Sequence, residues 1–270
     1  MKYFILVVFL GLLFYSCNKD NPVVPPTNSV PSNYSKIDSA QSGNFKLEIW
    51  SASGNKIYYG YNNLGFKVFI SGAEQKTGFV KFLPKMYHFV GGPSHSSPIS
   101  PQYNYDAGKG LFTGYACFTM LSDSTSFWWT HYNYNNTNYI DSVLFYVMNN
   151  TQNQVRVWDD IVGGNRYILT LVTPFSPVVG SNNFSFILHS TTNDFDFTEV
   201  NNAEMFTRVW MESMGHGSSG NINPASQGSG RYDGKANFTM AGGWAIYDSI
   251  KVNGNFITNS PPPKFTFVIQ

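Results

Sequence analysis

The decapeptide LFTGYACFTM, Leu111 to Met120, returns without a gap as RYDGKANFTM, Arg231 to Met240, at an offset of 240 − 120 = 120 residues. Gly114 pairs with Gly234, Ala116 with Ala236, and Phe118, Thr119 and Met120 with Phe238, Thr239 and Met240. The flanks extend the match. HSSPISP, from His95, resembles HGSSGNINP, from His216, and Trp128 or Trp129 stands downstream where Trp244 does. Each copy closes in a strand-like run, SVLFYV or KFTFVI. A chain built this way is expected to fold as two related units, residues 44–150 and 153–270, joined by the polar seam NNTQNQ. Two copies are too few for a solenoid, which needs about 3 repeats, so each copy must bury its own core.

Within a copy the period is two. Phe66, Val68 and Ile70 alternate with Lys67 and Phe69; Tyr167, Leu169 and Leu171 alternate with Ile168 and Thr170; Phe184, Phe186 and Leu188 repeat the pattern. Clusters of Gly, Pro, Asn and Ser separate the runs, and no stretch carries a sustained apolar stripe at helical spacing. With 17% aromatic and only 12% charged residues, the expected fold class is all-β: two tandem immunoglobulin-like antiparallel β-sandwiches. By the same alternation Met120 and Met240 fall on the core face with Phe118 and Phe238, and Cys117 falls on the opposite face as a half-buried free thiol. A net charge of +1 leaves no electrostatic footprint for nucleic acid.

The first residues point to export. Lys2 precedes an unbroken apolar run from Tyr3 to Tyr15, shorter than the roughly 20 residues of a membrane span, and Ser16-Cys17 resembles a lipobox. Residues 1–16 are therefore expected to be a lipoprotein signal peptide, with Cys17 lipidated and residues 17–43 a flexible Pro/Asn/Ser tether. The expected location is the envelope of a Gram-negative bacterium, at the outer membrane, with the membrane as partner through the lipid. Once Cys17 is modified, Cys117 is the remaining thiol and no intramolecular disulfide forms.

Function is sought in the segments before the repeated strand. The second copy holds Met211, Met214 and His216 in VWMESMGHGSSGNINP; the first holds Met86, His88 and His95 more loosely. Thioether and imidazole together suit Cu(I), whereas zinc asks for more His, Cys or carboxylate and calcium for a run of oxygens. Packing is the competing explanation: the methionines would cap the sandwich end and His216 would open a glycine turn.

The second copy resembles the YtkA-like family of small envelope domains, related to FixH-like proteins, through MESMGHGSSGNINPASQGSGRYDGKANFTMAGGW. The first copy resembles it more distantly, with Pro93 where the second has Met214. The resemblance implies an immunoglobulin-like sandwich in the cell envelope, a link to copper handling or oxidase maturation, and Met211, Met214 and His216 as ligands.

A second function class is a glycan- or protein-binding surface module without metal, motivated by Trp128 and Trp129 in FWWTHYNYNNTNYI. Against it stands a plain hairpin with one buried face. An enzyme is not expected: the chain lacks G-x-S-x-G, H-E-x-x-H and G-x-x-x-x-G-K-[ST], and Asp194, Asp196 and Glu199 alternate with apolar residues as an acidic strand face would.

Overall fold

Alternating apolar residues dictate strands, and the computed structural model, which describes residues 33–89, 91–92, 94–160 and 164–270, is built from them. The signal peptide, Cys17, most of the tether and Pro93 lie outside the described residues. In the first half the strands are β1 Ser35–Ser42, β2 Phe45–Ser51, β3 Ile57–Tyr58, β4 Gly60–Ile70, β5 Ala73–Gln75, β6 Phe79–His88, β7 Tyr103–Asp106, β8 Leu111–Phe118, β9 Ser126–Tyr134, β10 Asn138–Phe145 and β11 Val147–Met148. In the second they are β12 Val155–Asp159, β13 Arg166–Thr173, β14 Gly180–Thr191, β15 Thr198–Glu199, β16 Ala203–Met211, β17 His216–Gly217, β18 Ile222–Gly228, β19 Arg231–Phe238, β20 Gly242–Val252, β21 Asn255–Phe256 and β22 Lys264–Ile269.

The first half is one large sheet folded over itself, beside a two-stranded parallel pair of β3 and β11. Its order is β1-β2-β4-β8-β7-β6-β9-β10, with β5 on β4, and the short β7 carries the pairing from one layer to the other. Phe66 of β4 meets Phe82 of β6 at 6.0 Å and Tyr132 of β9 at 5.6 Å between ring centroids, so the core is a stack of aromatic edges and faces. The second half uses two sheets, β12-β13-β14-β19-β18 and β17-β16-β20-β21, with β22 also on β20. Their inner faces meet at Phe186 and Phe265, 4.7 Å apart. Each half has its own buried cluster, as alternation requires.

The halves share a register. Gly60 pairs with Phe118 and Leu64 with Gly114; Gly180 pairs with Phe238 and Phe184 with Gly234, each 120 residues on. The entry to the shared strand is also shared. Asn62 Oδ1 accepts from Tyr58 N (2.8 Å), and its amide donates to Tyr58 O (2.6 Å) and Gly60 O (2.9 Å). Asn182 makes the same three bonds with Val178 and Gly180, at 2.9, 2.7 and 2.8 Å. Gly60 and Gly180 sit at φ +83 and +106, where a side chain is strained, so the G-x-N pair is a local signature of this turn.

Several expectations change. Ser35–Ser42 falls within the stretch read as tether yet forms an edge strand on β2. The seam is fastened: Gln154 Nε2 donates to Thr266 O (2.7 Å) and its Oε1 accepts from Thr266 N (2.9 Å). Asp194 lies at a turn with φ +61, and only Thr198–Glu199 of the acidic stretch is a strand. Strands β8 and β19 end at Phe118 and Phe238, so alternation stops before Met120 and Met240, which are exposed rather than in the core.

Cys117 is fully buried, not half-buried, because the outer face of β4 and β8 packs on that of β13 and β14. Tyr61, Tyr115 and Cys117 there meet Val172 and Ile187. The Tyr115 hydroxyl donates to Glu199 Oε1 (2.7 Å), which leaves its oxygen to accept from His189 Nε2 (2.9 Å). Burial pushes the His189 imidazole down to about 3 and the Cys117 thiol up to about 12, so both are neutral members of an interface.

Candidate functional site

Met211 ends β16 and His216 opens β17, and the two residues are direct cross-strand partners around a tight turn. The turn is closed by Met214 N and Gly215 N, which both donate to Met211 O, at 3.3 and 3.0 Å. Met211 sends its side chain into the core of the second half. Met214 sits on the turn and is 62% exposed. Glu212 is held by Lys264 Nζ at 2.8 Å and by the Tyr247 hydroxyl, and the lysine holds its carboxyl below the usual range. The hairpin thus brings Met211 beside His216 in the backbone register and leaves Met214 facing solvent.

The first half repeats this frame. Met86 is buried in β6 and bridges to His95, as Met211 pairs with His216. His95 stands edge-on to Trp128 at 5.4 Å and His216 edge-on to Trp244 at 5.5 Å. His95 Nδ1 donates to Ser96 O at 2.9 Å, and His216 Nδ1 to Gly217 O at 3.0 Å. Trp128 Nε1 donates to Met120 O (3.1 Å) and Trp244 Nε1 to Met240 O (2.9 Å). To this the first half adds a contact that sequence reasoning missed: His95 Nε2 lies 3.4 Å from Met120 Sδ. His88, with Nδ1 bound to Ser126 Oγ at 2.7 Å, has its ring 6.3 Å from that of His95.

The two tryptophans of the other candidate separate by alternation. Trp128 is buried in the core; Trp129 points to the opposite face of β9. On that outer face three registered rows form: Tyr87 with Phe127, Lys85 with Trp129 and Leu144, and Leu83 with His131. Phe89 adds a third ring to the first row, 5.7 Å from Tyr87 and 4.9 Å from Phe127, while remaining 66% exposed. Tyr87 and Phe127 are 5.4 Å apart, and Lys85 Nζ lies 5.6 Å from the Trp129 ring. The outcome is a contiguous apolar and aromatic outer face, of whose residues the sequence singles out Trp129.

Solved structures similar to the chain include the Escherichia coli adhesin FdeC, at 11% identity over 86% of this chain and 66% of that one, with a TM-score of 0.26. A conserved domain protein from Bacillus anthracis is 10% identical over 88% of this chain and 92% of that one, with a TM-score of 0.29. The Yersinia pseudotuberculosis adhesin InvE is 10% identical over 88% and 58%, with a TM-score of 0.24. The chain spans less than two thirds of the length of each of these two adhesin chains. No curated protein matches it. The second half, which holds the Met211–His216 hairpin, carries a YtkA-like segment, the sequence model of that family matching residues 162–247.

Proposed function

We propose that the chain is a non-catalytic binding module of the cell envelope, a lipoprotein anchored through Cys17, that engages a protein partner with the outer face of β6, β9 and β10. The observation that carries this reading is the outer-face set of exposed Leu83, Tyr87, Phe89 and Leu144 with half-buried Phe127 and Trp129 among them. Contiguous exposed apolar area of this kind marks interaction sites, and Trp and Tyr dominate interface energetics. Its rings are tilted by 89°, 40° and 53° to one another, so they offer knobs for side chains rather than a flat track on which successive sugars stack. The shared register and shared G-x-N turn support an origin of the two halves by duplication, with this face specialised in the first.

A photo-cross-linking residue placed at Phe89 or Trp129 in the native host tests the reading. Discrete adducts are expected from both positions and not from exposed Val268 on β22. Once the adduct is identified, Trp129→Ala should weaken binding of the purified partner tenfold or more, about 1.4 kcal/mol. Equal adducts from Val268, or none from the aromatic face, would overturn it.

A second reading, Cu(I) bound by Met211, Met214 and His216, is favoured by the cross-strand pairing of Met211 with His216. It requires Met211 to leave the core. Anaerobic Cu(I) titration of the wild type against a variant with Met211, Met214 and His216 all replaced by Ala decides it, unchanged stoichiometry counting against.

A further inference from the structure

We propose that His95 Nε2 and Met120 Sδ bind a soft monovalent cation, Cu(I) or Ag(I), at the mouth of the groove between the two halves. The pair lies outside the YtkA-like segment and is separate from the aromatic docking face, so the inference goes beyond both. It begins with a proton count. His95 Nδ1 carries a hydrogen, because it donates to the Ser96 carbonyl at 2.9 Å. Without a proton Nε2 presents a lone pair, and 3.4 Å away it faces a thioether, which has no hydrogen to give. A proton on Nε2 makes this an N–H···S hydrogen bond, and a soft cation in the proton's place converts the pair into a chelate.

The distance fits. With bonds the length of those in zinc sites, about 2.0 Å to nitrogen and about 2.3 Å to sulfur, a separation of 3.4 Å gives an angle of about 105° at the metal, so one ion can reach both atoms. The ring is positioned as ligating imidazoles are, its far nitrogen on a backbone carbonyl and its edge against Trp128. The sulfur is accessible: Met120 is 40% exposed, and its backbone is pinned by Trp128 Nε1 at 3.1 Å. The groove beside the pair, about 460 Å³, is walled across from it by Ile168, Asp194 and Phe195. Asp194 Oδ2 is engaged by Arg166 at 2.7 Å, and a pair of thioether with imidazole selects Cu(I) or Ag(I) over magnesium or calcium.

The test uses the full chain with Ag(I), redox-inert and diamagnetic, read by the ¹³C resonances of its methionine methyls. Ag(I) should shift the Met120 methyl in a saturable way, and the other methionine signals report in the same sample that the fold is intact. In His95→Gln the Met120 methyl should titrate with a Kd tenfold or more higher; isothermal titration calorimetry with Ag(I) should show the site weakened tenfold or more in Met120→Leu and lost in the double variant, and anaerobic Cu(I) should compete with Ag(I). A Met120 methyl that does not move, affinity within twofold of wild type in the double variant, or a response confined to Met214 and lost in His216→Gln would each overturn the proposal.

Discussion

Asp248 sits on the core-facing row of β20 with Trp244, Ile246 and Ile250, and it is fully buried. Its Oδ1 accepts from the Thr207 hydroxyl across the sheet, and its Oδ2 has no partner. Burial raises its carboxyl from 3.8 to about 7. A carboxyl whose folded pKa is raised holds its proton more tightly in the folded state. Its contribution is therefore intact below pH 4, declines as pH climbs from about 4 to about 7, and is lost above that. The full displacement corresponds to about 4 kcal/mol at about 1.36 kcal/mol per pH unit, of which about 2.5 kcal/mol falls between pH 5 and pH 8. Asp248→Asn keeps the shape and the acceptor for Thr207 but cannot ionise. Its buried amide adds a pH-independent penalty of about 1–3 kcal/mol. Urea unfolding of both proteins at pH 5 and pH 8 should show the variant gaining about 2.5 kcal/mol on the wild type as pH rises. A stability difference that stays constant across that range would refute the reasoning.

Three further outcomes are expected. Trp128→Ala should destabilise by about 3–5 kcal/mol in chemical denaturation, and Trp129→Ala by less than about 1, because only the first fills the core. Tyr115→Phe removes the hydroxyl shared by Glu199 and His189; it should cost about 1–3 kcal/mol and raise amide exchange in β8 and β14, where β14 meets the first half, with unchanged exchange counting against a coupling role. Cys117, raised to about 12 by burial, should resist iodoacetamide in the native protein at pH 8 and react fully in denaturant, as mass spectrometry would show.

Much of the scaffold was legible because it is local. Period-two alternation located β4, β13 and β14, and an offset of 120 residues also relates the β4–β8 pairing to the β14–β19 pairing. What escaped reading depends on distant partners or on where a pattern stops. Ser35–Ser42 has a tether's composition, and only pairing along β2 makes it a strand. Met120 looks like a core residue until β8 ends two residues before it. The His95–Met120 contact joins residues 25 apart through a bridge from His95 to Met86 and a bond from Trp128 to Met120, and no spacing rule connects them. Cys117 was misjudged for a related reason: alternation tells which face a residue is on, and it cannot tell that a second domain covers that face.

The contact between the halves joins two unlike surfaces. The surface that the first half offers carries Tyr61, Tyr115 and Cys117, and 120 residues on the corresponding positions are Ser181, Lys235 and Asn237. Ile187, which receives that surface, corresponds to Lys67 in the first half. Head-to-tail contacts between like units propagate into fibres when every unit keeps both mating surfaces. Here each half presents one of the two mating surfaces, and Ser181, Lys235, Asn237 and Lys67 stand polar at the corresponding positions of the other. The difference between the halves at these positions thus disfavours repetition of the same contact from one copy of the chain to the next.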